Sequence, residues 1–425
     1  MIMRTLFGVL IFILYLCRSK FKKTLDMGMI KSILENDLYK FSMGHYYQMM
    51  YPEAVGTFTF KDRNNLVLSD MFLTHLQNEF ISLNELALTD EECEWAIANI
   101  PYIPRHYWEW LKTFRFDSCK IHAWLDEEKH LHIEVTDVMY KVTMYEIPIL
   151  AIVSETYYKY HAINLSNFGY QVTDPLRKKI AVAMENGFRF SEFGMRRRYS
   201  HDVEDKVCEI LSKECPNCAG TSTVYFAKKY GLKSIGTMAH ELFMATAALT
   251  SPKEANFIVM ENWVKVYDGN LGTVLTDTYT VNEFLRSFSM KLAKLYDGVR
   301  HDSGCPFEFG DKIIKKYESY GIDPMSKSII FSDSLDFEKC AELKRYFEGR
   351  IKVSFGIGTN LTNDLYDIDM GFRIKPMNIV MKLKDFQVNP RQPKYGCVKL
   401  SDNPIKAIGA PEDIANYKYQ VGIKD

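Results

Sequence analysis

The sequence predicts an α/β protein in which parallel strands form a sheet or a barrel. Short apolar runs recur in the second half of the chain, each closed by polar residues or glycines, and segments with helical periodicity separate the later runs. Alternating strands and helices of this size favour a parallel arrangement, with the functional groups in the loops after the strands. The strand-to-loop segments are 232–241, 274–279, 298–304, 329–334 and 353–360, and the helical segments are 281–296, 306–320 and 335–347.

The first of these loops, 236–241, contains the residue best suited to phosphoryl chemistry. Apolar residues continue after it with helical spacing, which places His240 near the first turn of a helix at the carboxyl end of a strand. Helix N-termini direct unpaired N–H groups at anions, so a histidine there can bind, accept or relay a phosphoryl group. A lone histidine is more often a core or capping residue. The four further loops favour the functional interpretation.

The later loops carry residues that are compatible with phosphate. Asp277 lies between two threonines, and Arg300 stands two residues before Asp302. Asp333 lies between two serines after an apolar strand. The loop 356–359 reads Gly-Ile-Gly-Thr, and glycine lets the backbone approach an anion and supplies N–H donors. The acids have a structural alternative, because helix N-caps are common after strands.

Composition points to an enzyme that acts on small molecules. The chain has 425 residues, a net charge of −1 and 14% aromatic residues, which allows a large core, more than one domain and flat pockets for ring substrates. The balanced charge gives no indication of a nucleic acid partner. Nine scattered cysteines are typical of reduced cytoplasmic thiols. The pair Cys215 and Cys218 lacks nearby histidine ligands and is weak grounds for a zinc site.

Residues 1–28 differ from the rest of the chain. The apolar run 6–17 is followed by four basic residues, and it is shorter than the roughly 20 residues that a spanning helix needs. It also lacks the small-residue cleavage site of a secretory signal. We expect an N-terminal extension from a start codon assigned too far upstream, no stable membrane association and a cytoplasmic location.

The motifs together resemble those of the nicotinate phosphoribosyltransferase family. The resemblance runs from about residue 29 to the C-terminus and keeps the order of the family's motifs. Two positions depart from the family pattern, with Met195 in place of threonine and Thr223 in place of asparagine. The matching segments are 36–40 (Asn-Asp-Leu-Tyr-Lys), 193–198, 220–222, 236–241, 300–304, 331–333 and 355–359.

The resemblance implies an irregular, incomplete α/β barrel of the type II phosphoribosyltransferase kind, packed against a second α/β domain. We expect an N-terminal α/β domain at 29–165, the barrel with the active site at 166–365, and a segment at 366–425 that returns to the N-terminal domain. The sequence further predicts a hairpin of strands 120–125 and 131–135, a strand followed by a buried helix in 139–160, and tail strands at 378–384 and 397–400.

The implied activity joins nicotinate to 5-phosphoribosyl 1-diphosphate, releases pyrophosphate and begins NAD synthesis from nicotinate. The resemblance also implies that ATP, as co-substrate, phosphorylates His240 and that hydrolysis of the phosphohistidine is coupled to transfer. Magnesium accompanies the diphosphate, and no separate protein metal site is assigned. In dimeric members of the family a tyrosine at the position of Tyr39 arrives from a second subunit, so a homodimer is possible.

The expected catalytic residues are His240, Arg300 and Asp277. Arg300 would bind the nicotinate carboxylate through paired, charge-assisted hydrogen bonds, and Phe193 and Tyr39 would hold the ring between aromatic faces. Asp277 and Asp302 suit ribose hydroxyls or magnesium, and the 356–359 loop suits the 5-phosphate. The expected substrate-binding residues are Tyr39, Phe193, Arg196, Ser222, Thr237, Asp302, Ser303, Gly304, Asp333, Gly356, Gly358 and Thr359.

The choice of pyridine depends on Ser222. The nicotinamide-using relatives have an aspartate at this position, which would repel a substrate carboxylate, whereas a serine can donate a hydrogen bond to it. A nicotinamide phosphoribosyltransferase is therefore the nearest alternative. Two others stay open: a different phosphosugar-binding α/β barrel, and a non-catalytic phosphosugar or nucleotide sensor on the same fold.

Overall fold

A computed structural model describes residues 28–160, 169–367 and 371–423 of the chain. The expected extension at 1–28 lies outside the described residues except for Gly28, and so does the expected domain boundary at 165. The strands are β1 (Val55–Asp62), β2 (Ile121–Leu125), β3 (Leu131–Val138), β4 (Phe190–Glu192), β5 (Cys218–Thr221), β6 (Thr273–Leu275), β7 (Gly298–His301), β8 (Ser328–Phe331), β9 (Lys352–Ile357), β10 (Tyr366–Asp367), β11 (Phe372–Arg373), β12 (Ile379–Gln387) and β13 (Tyr395–Gly396).

The helices cover both sheets and leave the carboxyl ends of the parallel strands to the loops. They are α1 (Leu38–Met50), α2 (Asp70–Ser82), α3 (Asp90–Asn99), α4 (Arg105–Leu111), α5 (Met139–Val142), α6 (Glu146–Tyr160), α7 (Asp174–Glu185), α8 (His201–Glu214), α9 (Val224–Tyr230), α10 (His240–Leu249), α11 (Pro252–Tyr267), α12 (Val281–Ser287), α13 (Met290–Leu295), α14 (Pro306–Ser319), α15 (Phe337–Tyr346), α16 (Thr359–Thr362) and α17 (Pro411–Val421).

A six-stranded parallel sheet forms the centre of the second half of the chain, in the order β5-β4-β9-β8-β7-β6. Its strands are short and most of their residues are buried, as expected for a parallel sheet that is covered on both faces. Among the described residues the sheet stays open between β5 and β6. The predicted α/β class with an incomplete barrel is confirmed.

A second, antiparallel sheet joins the two ends of the chain, in the order β13-β12-β1-β3-β2. Strand β12 pairs along the whole of β1, from Asp62 opposite Ile379 to Val55 opposite Gln387. The C-terminal segment thus returns to the N-terminal sheet, in agreement with the predicted second domain, while the exact domain boundaries stay a prediction. Residues of the C-terminal segment can reach the loops of the parallel sheet from this position.

Four local predictions were wrong. The predicted tail strand 397–400 forms only an isolated bridge between Lys399 and Ile408. Segment 232–235 forms only an isolated bridge between Ser234 and Thr221 rather than a strand. Segment 139–160 is helical from Met139 onward, because tertiary burial on all sides overrides its strand-like composition. The predicted helix 281–296 is two helices, and Ser289 caps the second by accepting from the N–H of Leu292.

Helix α10 begins at His240, as predicted. Its residues from His240 to Ala247 are all buried, so the helix runs through the interior and presents only its first turn to the loops. Within the described ranges, no helix combines the length and the apolar character that a membrane crossing requires.

Candidate active site

A single cavity of about 700 Å³ lies at the carboxyl ends of the parallel strands. The loops after β4, β7, β8 and β9 form much of its wall, together with the start of α1 and parts of the C-terminal segment. A volume of this size suits one nucleotide-sized ligand or two smaller ones. The predicted site residues that line it are Tyr39, Phe193, Arg196, Ser222, His240, Arg300, Asp302, Asp333, Gly356, Gly358 and Thr359.

Four predicted residues do not line the cavity. Thr237 donates its hydroxyl to the carbonyl of Thr273, 2.8 Å away, and so ties the histidine loop to the sheet. Ser303 donates to Asp277 across 2.6 Å, and both residues are buried. These contacts make Thr237, Ser303 and Asp277 supports for the cavity residues. Gly304 is exposed and has a φ of +83°, a left-handed turn that glycine favours.

His240 is the centre of a buried cluster of charged and hydroxyl groups. Its Nε2 lies 2.9 Å from Asp302 Oδ2, 2.8 Å from Lys399 Nζ and 3.7 Å from Asp277 Oδ1. Its Nδ1 lies 3.0 Å from the hydroxyl of Thr278. Burial, and then the nearby Lys399, lower the pKa of His240 to about 4. The imidazole is therefore neutral near pH 7, as a nucleophile must be.

The tautomer of His240 decides which contact is a hydrogen bond. With the proton on Nδ1, the ring donates to Thr278 and Lys399 donates to Nε2; with the proton on Nε2, Asp302 accepts from it. Burial opposes ionisation of Asp302, but His240 and the nearby Arg300 hold its pKa well below the usual value. An ionised Asp302 can therefore stabilise positive charge on the ring during reaction.

His240, Asp277 and Asp302 could together hold a metal ion, because one ligand atom from each lies within 4.8 Å of the others. Lys399 already supplies positive charge there, since its Nζ lies 3.4 Å from Asp277 Oδ2 as well as against His240. Magnesium also prefers oxygen ligands to imidazole. Asp302 and Asp333 fit it better, because their carboxylates line the cavity and are partly exposed.

A group of residues that we call the pyridine pocket consists of Asp37, Tyr39, Phe193 and Ser222. Ser222 donates its hydroxyl to Asp37 Oδ1 at 2.6 Å. Burial raises the pKa of Asp37 and raises that of Tyr39 well above its usual value, so the tyrosine stays neutral. The Ser222 hydroxyl, which was expected to donate to a substrate carboxylate, donates to Asp37 in this structure.

Gly356 has a steric reason to be glycine. A Cβ atom there would lie 2.4 Å from two carbons of the Phe193 ring, closer than side chains pack. The sequence interpretation assigned this glycine to the approach of a phosphate. The structure gives it a second role, since its bare backbone lets the Phe193 ring lie flat against β9.

The three consecutive arginines have different environments. Arg196 and Arg197 line the cavity, whereas Arg198 is fully buried among Glu35, Glu155 and Glu204. Burial and the neighbouring Arg196 lower the pKa of Arg197 to about 9. Two of the three guanidinium groups can thus meet a ligand.

Several cavity residues were missed by sequence reasoning. Lys399 follows an apolar tail segment. Its only sequence signal was a lysine beside apolar residues, which the structure shows to be buried. Asp37 stood within the matched motif 36–40 but received no role. Lys406 donates to Asp333 at 2.7 Å and to the carbonyl of Asp302 at 2.9 Å. The other unpredicted cations of the cavity are Arg63, Arg373, Lys375 and Lys382.

Comparison with known sequences gives the family. The model of the "Nicotinate phosphoribosyltransferase (NAPRTase) family" matches residues 188–422, and that of its N-terminal domain matches residues 34–154. The chain belongs to the nicotinate phosphoribosyltransferase family. Both the predicted family and the prediction that the chain is an enzyme are confirmed.

Named relatives support this membership over nearly the whole chain. Nicotinate phosphoribosyltransferase of Methanosarcina acetivorans is 40% identical over 410 residues, which cover 93% of this chain and 99% of that protein. A crystal structure of the enzyme from Porphyromonas gingivalis has 42% identity and a TM-score of 0.89, covering 93% of this chain and 100% of that one. One from Vibrio cholerae has 33% identity and a TM-score of 0.86, covering 94% and 96%.

The two departures from the pattern of nicotinate phosphoribosyltransferases lie away from the cavity. Met195 is fully buried in the core. Thr223 is also buried, and its hydroxyl donates to Glu204 Oε1 at 2.7 Å. Neither side chain lines the wall that a substrate would meet, so both act through the packing behind it.

Proposed function

We propose that this chain joins nicotinate to 5-phosphoribosyl 1-diphosphate, giving nicotinate mononucleotide and pyrophosphate, and that ATP drives the reaction through a phosphohistidine at His240. One observation carries the proposal. The same cavity contains an aromatic pocket for a pyridine ring, an arginine for a carboxylate and a neutral buried histidine among acids and a lysine. Family membership supplies the reaction class.

The transfer requires positioning more than proton chemistry. The pyridine nitrogen forms a bond to C1 of the ribose while the bond from C1 to the diphosphate oxygen breaks, and that electron pair leaves with pyrophosphate. The ring nitrogen is unprotonated near neutral pH, so no base is needed. Tyr39 and Phe193 would orient the ring, and Arg300 would hold its carboxylate, which converts binding energy into a near-attack geometry.

Positive charge in the cavity would stabilise the departing pyrophosphate. Arg196, Arg197 and Lys406 line the wall, and Lys406 is already directed at Asp302 and Asp333. Magnesium, when carried in by the diphosphate, would offset part of its charge, with Asp302 and Asp333 as its protein ligands. Each cation acts on charge that grows as the bond to C1 breaks.

ATP coupling would use the Nε2 atom of His240. In the tautomer protonated on Nδ1, Nε2 carries the lone pair that attacks the γ-phosphorus, and ADP departs with the electrons of the broken bond. Water later hydrolyses the phosphohistidine and restores the ring. If the phosphorylated form binds phosphoribosyl diphosphate tenfold more tightly, the coupling free energy is about 1.4 kcal/mol. Lys399 would offset the added negative charge.

Tyr39 lines the cavity of its own chain, which supports a pyridine pocket formed within one subunit. A homodimer stays possible. We also propose that the enzyme acts in the cytoplasm, where the pyridine and phosphosugar substrates are found.

The test is to incubate the protein with nicotinate, phosphoribosyl diphosphate, magnesium and ATP, and to measure nicotinate mononucleotide by chromatography. Omission of ATP should leave slow transfer. Preferential conversion of nicotinamide would support the nicotinamide-using alternative. Tight binding of phosphoribosyl diphosphate without any product would support a sensor.

A further inference from the structure

Two loops of the pyridine pocket are joined behind the cavity by a buried carboxyl group. Glu192 is the last residue of β4, directly before Phe193, and its side chain is completely buried. One carboxyl oxygen accepts from the N–H of Gly194, and the other accepts from the hydroxyl of Thr221 at 2.6 Å. Glu192 therefore ties the loop that carries Phe193 to the loop that carries Ser222.

A second buried carboxyl group continues this connection. Thr223 donates its N–H to the hydroxyl oxygen of Thr221 at 3.1 Å and its own hydroxyl to Glu204 at 2.7 Å. Ser222 thus stands between two threonines whose hydroxyls are both bound to buried glutamates. Its backbone N–H donates to the carbonyl of Glu192 at 2.9 Å. The position of Ser222 in the pocket depends on Glu192 and Glu204.

The charges around Glu192 and Glu204 do not balance if every acid is ionised. Arg198 contacts Glu35, Glu155 and Glu204, so one guanidinium faces several carboxyl groups. Buried charges without a partner cost several kcal/mol, and groups in that situation take up a proton. Glu192 has Asp37, Cys208 and Cys218 as titratable neighbours. Arg198 lies near both Glu192 and Glu204. That arginine is in turn surrounded by Glu35, Glu155 and His201.

We propose that Glu192 is a positioning residue of the pyridine pocket, and that its buried carboxyl, linked to Glu204 through Thr221 and Thr223, holds a proton whose loss at alkaline pH places extra negative charge behind the bound nicotinate. Burial raises the pKa of Glu192 to about 7. Burial, followed by the adjacent Glu192, raises the pKa of Glu204 well above its usual value. Glu192 therefore changes charge near neutral pH, while burial and the adjacent Glu192 favour the protonated form of Glu204.

The consequence is a preference that depends on pH. Nicotinate is an anion, and an added carboxylate charge behind its pocket repels it, whereas nicotinamide is neutral and feels little change. We expect the KM of nicotinate to rise about fivefold between pH 6.5 and 8.5 while that of nicotinamide stays nearly constant. The choice of nicotinate as the ligand rests on the proposed function, whereas the contacts of Glu192 do not depend on it.

The experiment compares Glu192→Gln with Glu192→Ala. Glutamine can still accept from Gly194 and bond to Thr221, but it cannot ionise, so we expect a near wild-type KM at pH 6.5 and a flattened pH dependence. Alanine removes both contacts, so we expect the nicotinate KM to rise about tenfold at both pH values with phosphorylation at His240 unchanged. Exposed Glu185 supplies the matched control, Glu185→Gln, which should leave both properties unchanged.

Lys382 also lines the cavity, and burial lowers its pKa to about 8. Its loss of charge could produce a similar trend, so Lys382→Met is measured in parallel and should keep the pH dependence that Glu192→Gln removes. An unchanged pH dependence in Glu192→Gln would overturn the proton assigned to Glu192, and an unchanged KM in Glu192→Ala would overturn the positioning role. If the alanine variant does not fold, the glutamine profile still decides. Calorimetric binding of nicotinate at both pH values gives the same readout if the protein shows no turnover, which separates this inference from the proposed activity.

Discussion

The hydroxyl of Ser222 donates to the carboxylate of Asp37 across 2.6 Å, although the two residues are 185 positions apart in the chain. An acid therefore already lies in the pyridine pocket, and Ser222 satisfies one of its oxygens. The absence of an aspartate at position 222 is only part of the basis for accepting a nicotinate carboxylate. Arg300 must supply the positive charge in the same cavity.

Ser222→Asp should erode the preference for nicotinate. We expect the wild-type protein to prefer nicotinate over nicotinamide by at least about a hundredfold in kcat/KM, equivalent to roughly 2.7 kcal/mol. A second carboxylate beside Asp37 adds repulsion, so the variant should lose nicotinate efficiency more than it gains nicotinamide efficiency. Steady-state kinetics with both pyridines measures this. Ser222→Ala is the control for size, and equal use of both pyridines by the wild type would contradict the argument.

His240→Asn should abolish stimulation by ATP while leaving slow transfer in its absence. The imidazole is the group that would carry the phosphoryl, and asparagine keeps a polar side chain of similar reach without the nucleophilic nitrogen. Mass spectrometry after incubation with ATP should find phosphate on the peptide that contains residue 240 of the wild type alone. Phosphate at another position, or full coupling in the variant, would refute the role of His240.

Lys399→Met should move the acid limit of phosphohistidine formation to higher pH. Lys399 helps to hold the pKa of His240 at about 4, so its removal lets the ring take up a proton more readily, with Asp277 and Asp302 favouring that proton. A protonated ring cannot attack ATP. The rate of phosphohistidine formation from pH 5 to 8 measures the limit, and Lys384→Met, at an exposed lysine, is the control. An unshifted profile would exclude this role.

The lowered pKa of His240 also predicts how the stability of the folded protein depends on pH. The pKa of His240 is lower in the folded protein than the roughly 6.5 of an exposed histidine. Its protonation therefore favours the unfolded chain, so its contribution to folding is complete above about pH 6.5 and falls as the pH drops toward about 4. Thermal unfolding should therefore show that His240→Asn loses less stability than the wild-type protein between pH 6.5 and 5.

Gly356→Ala should weaken nicotinate binding more than it weakens the fold. The added methyl group meets the Phe193 ring at 2.4 Å, so the ring must move out of its place in the pyridine pocket. We expect a rise of about tenfold in the nicotinate KM with a smaller loss in thermal stability. Gly310→Ala, where the added methyl group would meet the ring of Phe347 away from the cavity, is the matched control for lost stability. An unchanged KM would show that Phe193 does not orient the ring.

Much of the site could be predicted because its residues stand where local pattern is strong. Arg300 and Gly356 lie near the carboxyl ends of the short strands β7 and β9, Asp333 follows β8, and His240 does open a helix. Periodicity and the polar residues that close each run are properties of neighbouring positions, so a sequence records them directly. The helix at 139–160 was mistaken for a strand in its first part because apolar residues buried on all sides have no decisive period.

By itself, the sequence determined the α/β class, the family and the residues at the ends of the parallel strands. The tertiary structure decided which distant residues meet them. Lys399 contacts His240 although the two are 159 positions apart, and Asp37 accepts the hydrogen bond from the Ser222 hydroxyl. No sequence pattern assigned a role to the buried acids behind the pyridine pocket. Their pKa values, and the neutral state of His240, depend on burial and on charges brought close by folding, and no local pattern records either.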